Sequence, residues 1–223
     1  IGRAAPPGSR DLAVLGHGRR PSMTRLTGDT SRPEAERLRR ASARLADAPL
    51  TADWRGGIAV RGEPSLALAV LRALVLQLCL THTPETLRIE SARSDKWEWM
   101  SGLPHHHAPT GAPPNAERGD GPTSNGKEFW RVVVGPAGAG PTPTGVLLTW
   151  GSAGSTIDPR CGVVLDVREP DDATLVIGVD RTELAVEAVS DAQARAMARV
   201  LTDRGQKLYG RYESDQSATF SAV

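Results

Sequence analysis

Residues 57–80 read GIAVRGEPSLALAVLRALVLQLCL, and this stretch decides the fold. Residues 57–61 predict a short strand, residues 62–64 a turn, and residues 66–80 a helix that is apolar on nearly every side. A helix of that kind must be covered by other elements all round, and at 15 residues it is shorter than the roughly 20 apolar residues that a bilayer helix needs. Residues 87–92 then alternate between apolar and polar like a strand. The strand, helix, strand order favours a right-handed parallel crossover.

Further strands are expected beyond this unit, because the second half of the chain contains four β-branched apolar runs, at residues 129–134, 146–150, 162–167 and 174–179. Such runs are typical of a sheet buried on both faces at its centre. A last helix is predicted from Ser190, where Gln193 three residues on completes a capping box. The sequence therefore predicts a three-layer α/β protein with a mainly parallel central sheet and a buried helix after the first core strand. Its closest fold class is a degenerate P-loop-NTPase-like domain.

The chain divides into three expected regions. Residues 1–30 are rich in Gly, Pro and Arg and are expected to be irregular, with a possible edge strand at residues 12–15. Residues 31–204 are expected to form a single α/β domain with a long loop at residues 102–127, which is either mobile or a contact surface. Residues 205–223 are expected to be an exit linker. Because the chain opens at Ile1 without a methionine or a signal peptide, a fragment of a longer product is expected.

A second helix is predicted near the start of the domain. Ser31 followed by Glu34 has the spacing of a capping box, and apolar residues recur at helical spacing up to Ala48, where Pro49 would end the helix. Its other face carries Arg37, Arg39, Arg40 and Arg44. That face could contact phosphates or could simply be solvated.

The composition argues against several classes of function. The chain has 27 basic and 26 acidic residues, a net charge of +1, so no bulk field favours nucleic acid or anionic lipid. The two cysteines, Cys79 and Cys161, lie in apolar runs and resemble small buried hydrophobic residues more than a disulfide framework. A reducing compartment is expected.

The turn after the first core strand lies where a nucleotide-binding fold places its phosphate loop. It reads Gly62, Glu63, Pro64 and Ser65, whereas a phosphate loop needs several glycines followed by Lys and Ser or Thr. Glu63 would repel phosphate, and Pro64 removes an amide donor. We therefore predict a degenerate loop with no bound cofactor and no catalytic residue.

The other candidate sites are weaker. The Gly126-Lys127 pair precedes a strand, whereas a phosphate loop must follow one and open a helix. Asp166 and Asp180 end apolar strands without a matching phosphate loop. The adjacent residues 105–107 are all His, and their side chains should diverge, with no acid or cysteine at ligand spacing. No functional metal site is expected.

A family resemblance emerges from the order of these segments. Trp97-Glu98-Trp99, followed by Leu103-Pro104-His105 and then Pro109-Thr110, resembles the W-x-W, L-P-H, P-T signature of EccC-type, FtsK/SpoIIIE-like ATPases of type VII secretion. Residues 50–62, 69–78 and 83–89 are similar to the preceding segments of the membrane-proximal cytosolic region of that family. One departure is Gly135, where relatives often carry an acid.

The resemblance implies a membrane-proximal cytosolic domain on the cytoplasmic side of the cell membrane. Its partners would be the transmembrane segment and downstream ATPase domains of the same chain, the other subunits of a homo-hexamer, and further secretion-complex subunits. Trp97, Trp99 and His105 are the candidate interaction residues, with one indole expected in the core and the other against a partner or a neighbouring loop.

Two classes of function remain open at this point. The first is a non-catalytic coupling or scaffold domain of a secretion motor whose parent chain is an ATPase. The second is a cryptic nucleotide-binding ATPase domain, or a DNA-translocase-type module that uses Arg37 to Arg44. No nucleic acid is expected, because the charge of the chain is balanced.

Overall fold

The computed structural model describes residues 11–28, 32–91, 94–107, 129–137 and 145–220, with side chains described as far as residue 205. The strands are β1 (Leu12–Pro21), β2 (Arg44–Asp53), β3 (Ile58–Gly62), β4 (Leu87–Ser91), β5 (His106–His107), β6 (Trp130–Pro136), β7 (Val146–Gly151), β8 (Val163–Glu169), β9 (Asp172–Ile177) and β10 (Asp180–Leu184). The α-helices are α1 (Pro33–Ser42), α2 (Pro64–Thr81) and α3 (Asp191–Phe220), and 3-10 helices span Trp54–Gly56 and Asp95–Gly102.

Eight strands form the central sheet, in the order β10-β9-β8-β3-β7-β6-β4-β5. The six strands β8, β3, β7, β6, β4 and β5 run parallel to one another. Strand β9 is antiparallel to both of its neighbours, β8 and β10. The predicted mainly parallel sheet, with β3 as its first core strand and α2 directly after it, is confirmed. Strand β7 is buried over Val146–Trp150 because both of its faces are covered.

Helix α2 is the centre of the core. Nine of its 18 residues are buried, and its side chains join alternate residues of β3, β6, β7 and β8 in one large hydrophobic cluster. By length and composition alone α2 could cross a membrane, but half of it is buried inside this domain. Its role as a core helix follows from the all-round apolar surface that the sequence shows.

The opposite face of the sheet carries a second, smaller apolar cluster. Ala59, Leu147 and Val164, from three neighbouring strands, pack there with Cys161. The segment between β7 and β8 reaches this cluster through Cys161 and Ile157. Both cysteines are free and buried, as the composition predicts.

The N-terminal part of the chain differs from the prediction. Residues 12–21 form a full strand, β1, which pairs with β2 in a separate two-stranded antiparallel sheet. Ala13 and Leu15 belong to the main cluster, and the amide of Val14 donates to the Gln77 side chain of α2 at 2.9 Å. The possible edge strand at residues 12–15 is therefore present and is longer than expected, so the expected irregular segment is wrong for residues 12–21, which help to cover α2.

The predicted helix from Ser31 to Ala48 is also wrong in its second half. Helix α1 begins at Pro33 with Arg32 as its N-cap and ends at Ser42; Ser31 lies outside the described residues. Strand β2 follows at once, because Ala48, Leu50 and Ala52 are buried at every second position, a strand period that continues through Pro49. Pro49 is compatible with a strand at a sheet edge, where its missing amide need not donate.

The C-terminal helix begins as predicted. The Ser190 amide donates to Gln193 Oε1 at 2.9 Å and the Gln193 amide donates to Ser190 Oγ at 3.2 Å, the two bonds of a capping box. The residues expected to be an exit linker continue this helix, since α3 extends to Phe220. Of the expected loop 102–127, residues 106–107 form β5, and residues 108–127 lie outside the described part.

Candidate functional site

The candidate site is the turn between β3 and α2, at the carboxyl end of the central sheet. From β3 the chain continues through α2 to β4 on one side of the sheet, whereas from β8 it continues to β9 on the other side. Open α/β sheets bind ligands at the carboxyl ends of their parallel strands, and this turn lies at such an end. The structure places Gly62, Glu63, Pro64 and Ser65 at this position.

The Glu63 carboxylate occupies the amino end of α2. Its Oε2 atom accepts hydrogen bonds from the amides of Ser65 at 2.9 Å and Leu66 at 3.0 Å, and also from the Ser65 hydroxyl. The Ser65 hydroxyl and these two amides hold the pKa of Glu63 below its usual value. The amides that would hold a phosphate in a nucleotide-binding loop are therefore engaged by the carboxylate of the chain itself.

The turn is also very short. Strand β3 ends at Gly62 and α2 begins at Pro64, so only Glu63 lies between the two elements. A side chain at Gly62 would overlap the carbonyl oxygen of Val167 in β8. Gly62 thus permits the close approach of two strands, and the remaining backbone is too short to wrap around an anion.

Asp166, expected to end a strand, lies in the middle of β8, where it is engaged by an arginine on the adjacent strand. Arg61 and Asp166 are paired in register, and the guanidinium contacts both carboxylate oxygens, Nε to Oδ1 at 2.5 Å and Nη2 to Oδ2 at 2.7 Å. The hydrogen bonds to Asp166 raise the pKa of Arg61. Asp180, also expected to end a strand, instead begins β10. Because β10 runs in the same direction as β8, Asp180 lies at the amino end of the parallel strands, away from the turn.

The tryptophan segment forms the 3-10 helix Asp95–Gly102, and both of its indoles are buried, Trp97 at 2% and Trp99 at 3% exposure. The Trp97 ring lies 5.4 Å from the ring of Trp150 in β7 and 6.3 Å from that of Trp99, measured between centroids. Among the residues that the structure describes, the buried indole nitrogens of Trp97 and Trp99 have no hydrogen-bond partner. Both rings therefore pack on elements of this chain.

Helix α3 lies against this segment. Arg195 is 3.5 Å from Glu98, the Thr202 hydroxyl donates to the Gly102 carbonyl, and Gly205 packs against Pro104. Ala194 and Ala198 join the hydrophobic core on the same side. Helix α3 therefore packs against the segment that carries the W-x-W and L-P-H motifs, residues 97–105.

The three adjacent histidines lie in different surroundings. His105 is buried and its Nε2–H donates to the His82 carbonyl at 2.9 Å, while His106 Nε2 lies 3.4 Å from Ser91 Oγ. Burial lowers the pKa of His105, His106 and His107. Within the described residues, no group of three His, Cys, Asp or Glu side chains could hold a metal ion.

Two ion pairs between parallel strands of the sheet could not be foreseen from the sequence. One is Arg61–Asp166, and the other joins Arg131 of β6 to Glu90 of β4 through two contacts of 2.7 Å. The sequence does show a charged residue within each of these apolar strands, and such a residue indicates that a partner of opposite charge is needed. Pairing these residues requires the register of strands that are far apart in the sequence.

The fold is that of a P-loop-NTPase-like α/β domain, because a mainly parallel sheet carries a buried helix directly after a central strand. A one-residue turn stands where such a domain has its phosphate loop. No family model matches the chain. Among curated proteins, it is 35% identical over 121 residues to the ESX-4 secretion system protein EccC4 of Mycobacterium tuberculosis, covering 46% of this chain and 10% of the relative. It is 34% identical over 80 residues to the ESX secretion system protein EccC of Thermomonospora curvata, covering 33% of this chain and 6% of the relative.

The chain is thus similar in sequence to EccC proteins of type VII secretion, and it spans a tenth or less of the length of these curated relatives. Its fold is similar to ATPases 2 and 3 of EssC from Geobacillus thermodenitrificans, with a TM-score of 0.56 at 11% identity over 94% of this chain and 51% of that structure. It is also similar to the cytoplasmic domain of the Thermomonospora curvata type VII secretion ATPase EccC, with a TM-score of 0.54 at 14% identity over 90% of this chain and 32% of that structure. These likenesses show the shared ATPase-type fold.

Proposed function

We propose that this chain is a non-catalytic coupling or scaffold domain of a type VII secretion motor. The observation that carries the proposal is the Glu63 carboxylate bonded to the first amides of α2, where a phosphate would have to bind. A carboxylate there repels the triphosphate, and no lysine follows in the turn to attract it. A domain that keeps the fold without the phosphate site retains only its mechanical role.

Helix α3 supports a coupling role, because it is one continuous helix of 30 residues. Its first turns pack on the core and on the tryptophan segment, and the same helix extends to Phe220. A rigid helix transmits a displacement of the domain to whatever it joins. In the proposed arrangement, the partners are the transmembrane segment and ATPase domains of the parent protein, on the cytoplasmic side of the membrane within a hexamer.

The test of the missing phosphate site is isothermal titration calorimetry with ATP and Mg²⁺ on the chain and on Glu63→Ala. Neither protein should give a saturable heat at millimolar nucleotide, because removing the carboxylate restores neither the lysine nor the missing loop. Saturable binding to the unaltered chain would favour the second candidate, a cryptic nucleotide-binding domain, which the ATPase-type fold of its structural neighbours supports.

The test of coupling is an insertion of two glycines after Gly205 in the intact secretion protein. If α3 transmits motion, secretion should fall while the protein still assembles and hydrolyses ATP. The same insertion in the turn at Gly178, which lies in the β9–β10 hairpin, is the matched control and should leave secretion unchanged. Normal secretion with broken α3 continuity would contradict the coupling role.

A further inference from the structure

The near-neutral charge of the chain conceals a local separation of charge. Residues 19–45 contain eight arginines and three acids, a net charge of +5, and since the whole chain carries +1, the remaining residues carry −4. This stretch comprises the end of β1, helix α1 and the start of β2, and we call it the basic excursion. A strongly basic segment of this kind favours an anionic partner.

Apolar side chains are exposed within the same stretch. Met23 is 98% exposed, Leu38 63%, Leu45 49% and Leu26 44%. Helix α1 has no buried residue, although Leu38 lies at its centre. Four large apolar side chains in water within one short segment are unusual, because single exposed residues of this type are normally scattered.

The exposed groups are held close to α1 by hydrogen bonds. The Arg39 side chain donates to the carbonyls of Leu26 at 3.3 Å and Gly28 at 3.1 Å. The Ser22 amide, next to Met23, donates to the Ala43 carbonyl at the end of α1 at 2.8 Å. These bonds tie residues 22–28 to α1, so the described residues of the basic excursion, 19–28 and 32–45, form a folded surface.

Most of its arginines have no acidic partner. The Arg40 guanidinium pairs with the Glu36 carboxylate at 3.0 Å, and the Arg39 side chain donates to the carbonyls of Leu26 and Gly28. In the described part of the chain, the other six arginines of the basic excursion form no ion pair: Arg19, Arg20, Arg25, Arg32, Arg37 and Arg44. Their charge is available to a ligand.

We propose that the basic excursion docks on an anionic phospholipid surface. The partner must accept both guanidinium groups and exposed Leu and Met side chains, and a phospholipid surface offers phosphates above an acyl layer. Nucleic acid would engage the arginines but would leave the aliphatic side chains in water. The inference is independent of the nucleotide-site argument, since it concerns a different surface.

The experiment is sedimentation with vesicles of phosphatidylglycerol mixed with phosphatidylcholine, against vesicles of phosphatidylcholine alone. The unaltered chain should bind the anionic vesicles and not the neutral ones, and the binding should weaken with salt. Arg37→Glu with Arg44→Glu should weaken it by at least about tenfold. Met23→Ser with Leu38→Ser should weaken it by about tenfold or more, because two inserted side chains are lost.

The matched control is Arg199→Glu with Val179→Ser, an exposed arginine and an exposed valine outside the basic excursion. The control should bind like the unaltered chain, and every variant should keep its Tm because no buried side chain changes. Equal binding to neutral vesicles, or an equal loss in the control, would overturn the proposal. The proposal would also be overturned if the arginine variants lost vesicle binding, the Met23→Ser with Leu38→Ser variant kept it, and duplex DNA displaced the chain from the vesicles. That result would indicate a nucleic-acid surface.

Discussion

The carboxylate of Glu63 accepts a hydrogen bond from the amide of Leu66 at 3.0 Å, so the side chain that precedes α2 also caps it. The hydrogen bonds from Ser65 and Leu66 lower the pKa of Glu63 below its usual value. A carboxylate with a lowered pKa in the folded protein stabilises the fold above its unfolded-state pKa, and this stabilisation is lost as the pH falls through the folded-state value.

Glu63→Gln should therefore lower the Tm at pH 7, and the difference from the unaltered chain should shrink as the pH falls to about 3. Thermal unfolding followed by circular dichroism at both pH values measures this. Glu187→Gln, which changes an exposed acid outside the turn, is the control and should show no such convergence. A Tm deficit for Glu63→Gln that is the same at both pH values would contradict the capping role.

Gly62→Ala should destabilise the fold by about 1–3 kcal/mol, because a methyl group there would overlap the Val167 carbonyl. Gly135→Ala is the matched control, since its methyl group would meet no atom within 4 Å. Urea unfolding of the two variants gives the comparison. Equal stability of the two would show that β3 and β8 can separate at this point at little cost.

The sequence was sufficient to predict β3, α2 and β4 because their apolar patterns are long and continuous. It failed at residues 43–48, where Leu45 and Ala48 fit a helical spacing but the strand period of Ala48, Leu50 and Ala52 prevails through pairing with β1. Strands β5 and β10 were missed because they are short and polar. Their place in the sheet depends on partners that are distant in the sequence.

The candidate site was predicted in part. Its position and the wrong residues of its loop are visible in the sequence, because a strand followed by a buried helix marks the place. The cap formed by Glu63 depends on local geometry that the residue order alone does not give. The Arg61–Asp166 pair depends on the register of β3 with β8, which joins residues 105 positions apart.

Trp97→Ala and Trp99→Ala should each destabilise the fold by about 3–5 kcal/mol, since both rings are buried in the core. Chemical denaturation of the isolated chain measures the change, and Trp97→Phe should cost less. Because these variants alter the core, a secretion defect in either would reflect folding. If Trp99→Ala left the stability unchanged, the Trp99 indole would not be needed in the core, and contact with a partner would be the better explanation of its presence.

Stability should fall as the pH is lowered from about 7.5 towards 5.5. Burial lowers the pKa of His105 below the usual value of a histidine, so the unfolded chain takes up a proton there more readily than the folded chain. The loss begins as the pH falls through the unfolded-state value and levels off below the folded-state value. His105→Gln should weaken this dependence in urea unfolding, and the part that remains should come from His106 and His107, whose pKa burial also lowers. An unchanged pH dependence in His105→Gln would contradict this role of His105.

The order in which the chain is made gives α2 a particular exposure during synthesis. The helix is complete at Thr81, but β6, β7 and β8, whose side chains cover it, are complete only at Glu169. Until then a ribosome-bound chain presents an 18-residue segment that is apolar enough to pass for a membrane anchor. Arg72, held in the finished domain near Asp191, is the one charge within that segment, and it opposes insertion into a bilayer before the sheet has formed.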